Sequence, residues 1–228
     1  MAAVSAGSEV FDLSCSICNR RKEKRFCLAV HGRICPQCCG EQREVTLDCP
    51  PECPYLQQAR QHEKPRTFED LPASLVFPEI EVAEQFLHAR ETLIAGVLQT
   101  LGRLSRCDRD LHDREIIGAV ANLATSYQTL VSSGLVYEEA LPNPAQRTII
   151  QTLRQILQEF REVEHQHLGH TTLRDAEILQ TLVFTLRLAN VQTSGRPRSR
   201  GFIDFLNARF AEPEPSPAAG PASRIILA

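Results

Sequence analysis

Eight of the nine cysteines fall between Cys15 and Cys53, spaced Cys15-x2-Cys18-x8-Cys27-x7-Cys35-x2-Cys38-Cys39-x9-Cys49-x3-Cys53. Zinc takes four soft or borderline ligands in a tetrahedron, with sulfur at about 2.3 Å. A C-x2-C turn delivers two sulfurs from one tight knuckle. The sixteen residues between Cys18 and Cys35 lie in the window of roughly 15–20 that separates the knuckles of one site. Eight ligands suffice for two zinc ions. Two pairings remain open. In a cross-brace, Cys15, Cys18, Cys35 and Cys38 form one site and Cys27, Cys39, Cys49 and Cys53 the other. In a sequential plan, Cys35, Cys38, Cys49 and Cys53 share a site, with a strand over Arg43–Leu47 and a helix opened by Pro54. Cys15, Cys18, Cys27 and either Cys39 or His31 then form the second. His31, three residues from Cys27, is the alternate ligand. An iron–sulfur cluster uses the same thiolates, but the hairpin-like segments between the ligands favour zinc.

The metal's expected role is structural. The large apolar side chains of residues 15–64 are few, chiefly Ile17, Phe26, Leu28, Val30, Ile34, Val45, Leu47, Tyr55 and Leu56. So small a core needs a metal to replace what it lacks. An all-sulfur ligand set also argues against the open coordination position of a catalytic zinc.

The segment from Cys35-Pro-Gln-Cys-Cys-Gly-Glu-Gln-Arg-Glu through Cys49-Pro-Pro-Glu-Cys-Pro-Tyr-Leu56 resembles cysteine-rich N-terminal zinc modules of small, uncharacterised bacterial proteins. More loosely, the double-zinc plan is similar to MYND and B-box fingers. The latter resemblance implies binding to proteins rather than to DNA.

Other residues suggest other chemistry. Arg20, Arg21, Lys22, Lys24 and Arg25 form a basic run between the knuckles, suited to nucleic-acid phosphates. The same run can serve as a solvated hairpin tip that compensates the thiolates. Glu164-x-x-His167 matches half of a di-iron bundle motif, but no second copy exists, so His167 is expected as a core histidine. Cys107 stands alone and is expected to pack as a small apolar residue. No Gly-rich phosphate loop, nucleophile elbow or paired catalytic carboxylates appear.

The whole chain has 228 residues and a net charge of −3. Residues 1–66 carry ten Lys and Arg against eight Asp and Glu, and residues 67–228 carry fifteen against twenty. That break marks two differently built units, and the acidic total excludes a molecule-wide basic field. Neither a secretory leader nor a run of about 18 apolar residues is present. The expectation is a cytoplasmic chain without a membrane span, in a reducing compartment where clustered cysteines bind metal rather than form disulfides.

The expected organisation is a lead-in (1–14), the zinc module (15–64), a proline-containing linker (65–79), a helical bundle (80–211) and a disordered tail (212–228) with an apolar tip at 225–228. Apolar residues recur at spacings of three and four from Ala83 to Leu104, from Ile116 to Val131, from Ile149 to His167 and from Ala176 to Ala189. Asn143-Pro144 starts the third helix and Gly134 ends the second. The fold class is therefore a small zinc-stabilised module of short β-hairpins and a short helix, followed by an all-α antiparallel bundle with a short C-terminal helix.

The function expected is that of a non-catalytic zinc-binding adaptor. It would present a rigid surface to a protein partner, and the bundle offers a face for homodimerisation. The alternatives are a nucleic-acid-associated regulator, and a redox sensor or metalloenzyme with Cys39 as an adaptable thiol.

Overall fold

The computed structural model describes residues 14–64, 66–136 and 143–211. The expected lead-in, apart from Ser14, and the tail with its apolar tip lie outside them. The N-terminal module consists of a two-stranded antiparallel hairpin, β1 (Arg25–Cys27) and β2 (Gly32–Ile34), and two short helices. Pro36 at the first position of α1 (Pro36–Gln42) and Pro54 at that of α2 (Pro54–His62) set φ for helix entry where no N–H partner is needed. Arg43–Leu47 is a turn rather than the strand of the sequential plan. The Gln42 carbonyl accepts N–H bonds from Val45, Thr46 and Leu47, which coils the segment on itself.

The expected linker takes part in the fold. Residues 73–76 form α3 (Ala73–Val76), which packs on α8 (Asp175–Gln192), and Leu71, Val76 and Phe77 are buried. The Arg187 guanidinium of α8 donates to the carbonyls of Val76, Phe77 and Ile80 and fixes this stretch to the bundle.

The first long helix is two helices. Between α4 (Glu84–Ala89) and α5 (Glu91–Cys107), Arg90 leaves the helical region at φ −120° and ψ 23°. Its side chain reaches Glu177 (3.1 Å), Glu164 (2.8 Å) and the Thr172 carbonyl (3.1 Å). Local apolar spacing carries no sign of these long-range ionic bonds.

α6 (Asp113–Ser133) ends at Gly134, whose left-handed φ of 73° a glycine adopts without steric penalty. α7 (Pro144–Leu168) starts behind Asn143, whose side chain accepts from the Ala145 N–H at 2.9 Å. α5 and α6 each contact both α7 and α8, and α9 (Gly201–Arg209) closes the bundle against α5, α6 and α8. α8 is its centre. Leu182, Val183 and Leu186 are buried, and so are Thr181 and Thr185, whose hydroxyls donate to carbonyls one turn back. Asp113 caps α9 from the start of α6: its carboxylate accepts from the Phe202 and Ile203 N–H groups and the Ser199 hydroxyl.

Several side chains depart from the sequence expectation: Ala83 and Val131, at the ends of two expected apolar stripes, are exposed. Ala176 at the start of α8 is exposed. His167 is also exposed and lies beyond the buried stretch of α7, with its ring bonded to the Val163 carbonyl. Cys107 is exposed at the end of α5. No helix among the described residues is long and apolar enough to cross a membrane.

Candidate metal centre

Four sulfurs converge in the N-terminal module. Those of Cys15, Cys18, Cys35 and Cys38 all lie within 4.8 Å of one another, and Cys15, Cys35 and Cys38 are buried. Sulfurs at 2.3 Å from a tetrahedral zinc stand about 3.8 Å apart, so a small inward movement closes the set on an ion. This grouping joins the two C-x2-C knuckles, the cross-brace arrangement for the first site.

Each knuckle follows from local backbone chemistry. In the first, the chain reverses through Asn19 at φ 50°, and the Asn19 N–H bonds to the Cys15 carbonyl at 2.8 Å. The second is the start of α1. Cys35 is its N-cap, and the Cys35 sulfur accepts the Cys38 N–H at 3.4 Å, as a serine or aspartate oxygen would at a helix start. The Cys35 N–H in turn donates to the Cys15 sulfur at 3.2 Å and links the knuckles.

These N–H bonds set the thiol chemistry. Burial pushes the Cys15 thiol up, but N–H groups of Cys18, Cys35 and Ile17 outweigh it and hold the pKa at about 6. Cys35 is lowered chiefly by the Cys38 N–H. Cys38, deprived of such donors, is pushed up to about 12 by burial. The N–H donors thus favour the anionic form at Cys15 and Cys35 while burial opposes it at Cys38, and a divalent cation bound by the four sulfurs would draw off the remaining thiol protons. The donor set fits zinc: soft ligands, four in number and mostly shielded from water.

The other four cysteines do not form a second such group of sulfurs within 4.8 Å of one another among the described residues. Cys27 ends β1, Cys39 lies on α1, Cys53 is the N-cap of α2 and Cys49 precedes it. Cys27, Cys39 and Cys53 are each 7% exposed. The Cys49 thiol is pushed up to about 11 by burial, with the charges of Cys53 and Cys27 adding to the effect. His31, at φ 50° in the β1–β2 turn, is exposed and stands outside the four-sulfur cluster.

The basic run divides. Arg21 directs a guanidinium nitrogen at the Cys35 sulfur, 4.0 Å away, and Arg25 stacks over the Tyr55 ring at 4.5 Å. Arg20, Lys22 and Lys24 are exposed. Glu164, half of the di-iron motif, accepts from Arg90, from the Thr172 hydroxyl and from the Thr172 and Leu173 N–H groups, so it serves as an anchor for the α7–α8 turn.

Sequence reasoning did not find the residues that join the module to the bundle. Glu44, 1% exposed at φ 53°, accepts from Arg60 (3.0 Å) and the Ser194 hydroxyl (2.8 Å), and its carbonyl accepts the Arg198 N–H (2.8 Å). Arg60 also reaches Asp204 of α9 at 2.8 Å. Asp48 receives Arg198 and His112, and Arg196 donates to the Arg43 carbonyl. The Arg196–Arg200 segment is the docking strap of the cysteine-rich module. Its arginine content was the only available signal, and it carried no information about partners.

No family model matches the chain, and no curated protein or solved structure matches it either.

Proposed function

We propose that the chain is a non-catalytic zinc protein whose module presents a fixed surface to a protein partner. The observation that carries the reading is the closed four-cysteine cluster, held by backbone N–H bonds and tied to the bundle through Glu44 and Arg60. A metal bound there braces two knuckles and leaves no protein-free coordination position. That is the arrangement of a structural zinc site rather than of one that activates water. Cys27, Cys39, Cys49 and Cys53 would hold a second zinc ion, a reading supported by the ligand count and by the proximity of Cys49 to Cys53 and Cys27. The surface so fixed includes Phe26 and Leu28 on the hairpin, 53% and 37% exposed. Aromatic and aliphatic side chains held rigid in this way serve as anchors for partners, and the resemblance to MYND and B-box fingers points the same way. The nucleic-acid reading is weaker, because two of its five cations are engaged within the module.

The test is a photo-crosslinker placed at Leu28 in the zinc-loaded chain inside its native cells. A discrete stoichiometric adduct that Phe26→Ser abolishes, with zinc content and Tm unchanged, supports the reading. Crosslinking that is diffuse, or indifferent to Phe26→Ser, overturns it.

A further inference from the structure

Away from the cysteines, a cavity of about 270 Å³ opens where α6, α8 and the connector before α3 meet the strap. Three arginines line it: Arg66 from the connector, Arg114 from α6 and Arg196 from the strap. No carboxylate is among its lining residues. Arg114 is held on one side by Glu115 at 2.6 Å, and Arg196 by the Arg43 carbonyl at 2.9 Å and Glu63 at 3.6 Å. Each of these arginines keeps further N–H donors, since a guanidinium has five. Arg66 forms no ion pair among the described residues. It lies over Gly195, where a Cβ would come within 2.8 Å of its Nη1, so the residue at 195 is one that makes room for the guanidinium.

Glu115 and Glu63, outside the lining, offset part of the charge of Arg114 and Arg196, and Arg66 adds a further cation, so the concavity keeps a positive potential. An oxyanion complements it. Guanidinium forks match phosphate and carboxylate oxygens in pairs. A carboxylate, with two oxygens and one charge, is saturated by one or two forks. A phosphoryl group offers three oxygens and up to two charges to three forks. Leu75 and Ile117 close the remaining wall with apolar surface, against which a short carbon carrier can rest. The volume lies just below the usual range of about 300–1,000 Å³ for ligand pockets, which suits a small ligand.

We infer that this cavity is a binding site for a small phosphorylated metabolite, with Arg66, Arg114 and Arg196 gripping the phosphoryl group. The site is independent of the partner reading above. It is coupled to the zinc module, because the strap that carries Arg196 is held by Arg43 and Glu63 of that module.

The experiment uses the full zinc-loaded chain, titrated by calorimetry with inorganic phosphate at constant ionic strength and, in parallel, with succinate. Saturable binding of one phosphate per chain is expected, in the range of 1 mM or tighter that ordinary small-ligand affinities reach. Arg66→Gln is expected to weaken it by about tenfold or more with no change in Tm, since Arg66 has no internal ion pair to lose. Arg103→Gln, an exposed arginine on α5 with the same charge change, is expected to leave binding unchanged. A non-saturating response, or equal losses in the Arg66 and Arg103 variants, overturns the site. Succinate binding as tight as phosphate overturns the phosphoryl assignment.

Discussion

Replacing Glu44 tests whether the module and the bundle are one cooperative unit. Its side chain is 2% exposed and receives Arg60 and Ser194. Glu44→Ala leaves the Ser194 hydroxyl short of an acceptor and removes one of two carboxylates from Arg60. Removing one partner of a buried ion pair destabilises by about 3–5 kcal/mol. Arg60 retains Asp204 and is 29% exposed, which places the loss near the lower end, about 3 kcal/mol. For a chain of this length that is a fall in Tm of roughly 6–12 °C. Glu44 also sits at φ 53°, where a Cβ is strained. Glu44→Gly loses the same bonds but relieves that strain, so it is expected to be about 1 kcal/mol more stable than Glu44→Ala. The assay is urea unfolding at fixed excess zinc, followed by far-ultraviolet circular dichroism. An alanine variant within about 0.5 kcal/mol of the parent, the range of ordinary surface changes, refutes the coupling. A glycine variant no better than alanine refutes the assignment of strain.

Two further outcomes follow from the bundle. Burial raises the Glu164 carboxyl, but the Thr172 and Leu173 donors and Arg90 outweigh burial and hold it at about 2, below its ordinary 4.5. A depressed folded value contributes stability that is present above pH 4.5 and lost as pH falls through 2. Allowing for solvent screening, the contribution is about 2 kcal/mol, and Glu164→Gln should both remove it at pH 7 and flatten the acid limb of the stability curve between those pH values. Phe202→Ala, at a fully buried position in the first turn of α9, should destabilise by about 3–5 kcal/mol, measured in the same urea titration.

Features written in local sequence were legible. Asn143-Pro144, Gly134 and Pro54 state helix ends through backbone chemistry that each residue carries alone, whereas the two C-x2-C pairs announced ligands but left two groupings open, between which the structure decides by bringing the pairs together. What could not be read depends on distant partners. The break at Arg90 is set by Glu164 and Glu177, far along the chain. Asp113 stands at the start of its own helix in sequence, yet it caps α9 across the bundle. Glu44 resembled any surface glutamate, and only Arg60, Ser194 and Arg198 give it a role. His167 fitted the helical period, but α7 outruns the core at that point, so the period continues where burial has stopped. The three arginines of the cavity come from three separate segments, and no spacing rule links them.

The most direct measurement is metal content by elemental mass spectrometry on protein produced in zinc-supplemented medium, with Cys15→Ser alongside. Two zinc ions per chain, falling by one in the variant, are expected if Cys15, Cys18, Cys35 and Cys38 hold one ion and Cys27, Cys39, Cys49 and Cys53 the other. A folded Cys15→Ser chain with the parent's full metal content, or a parent chain that carries no zinc, contradicts the metal centre itself.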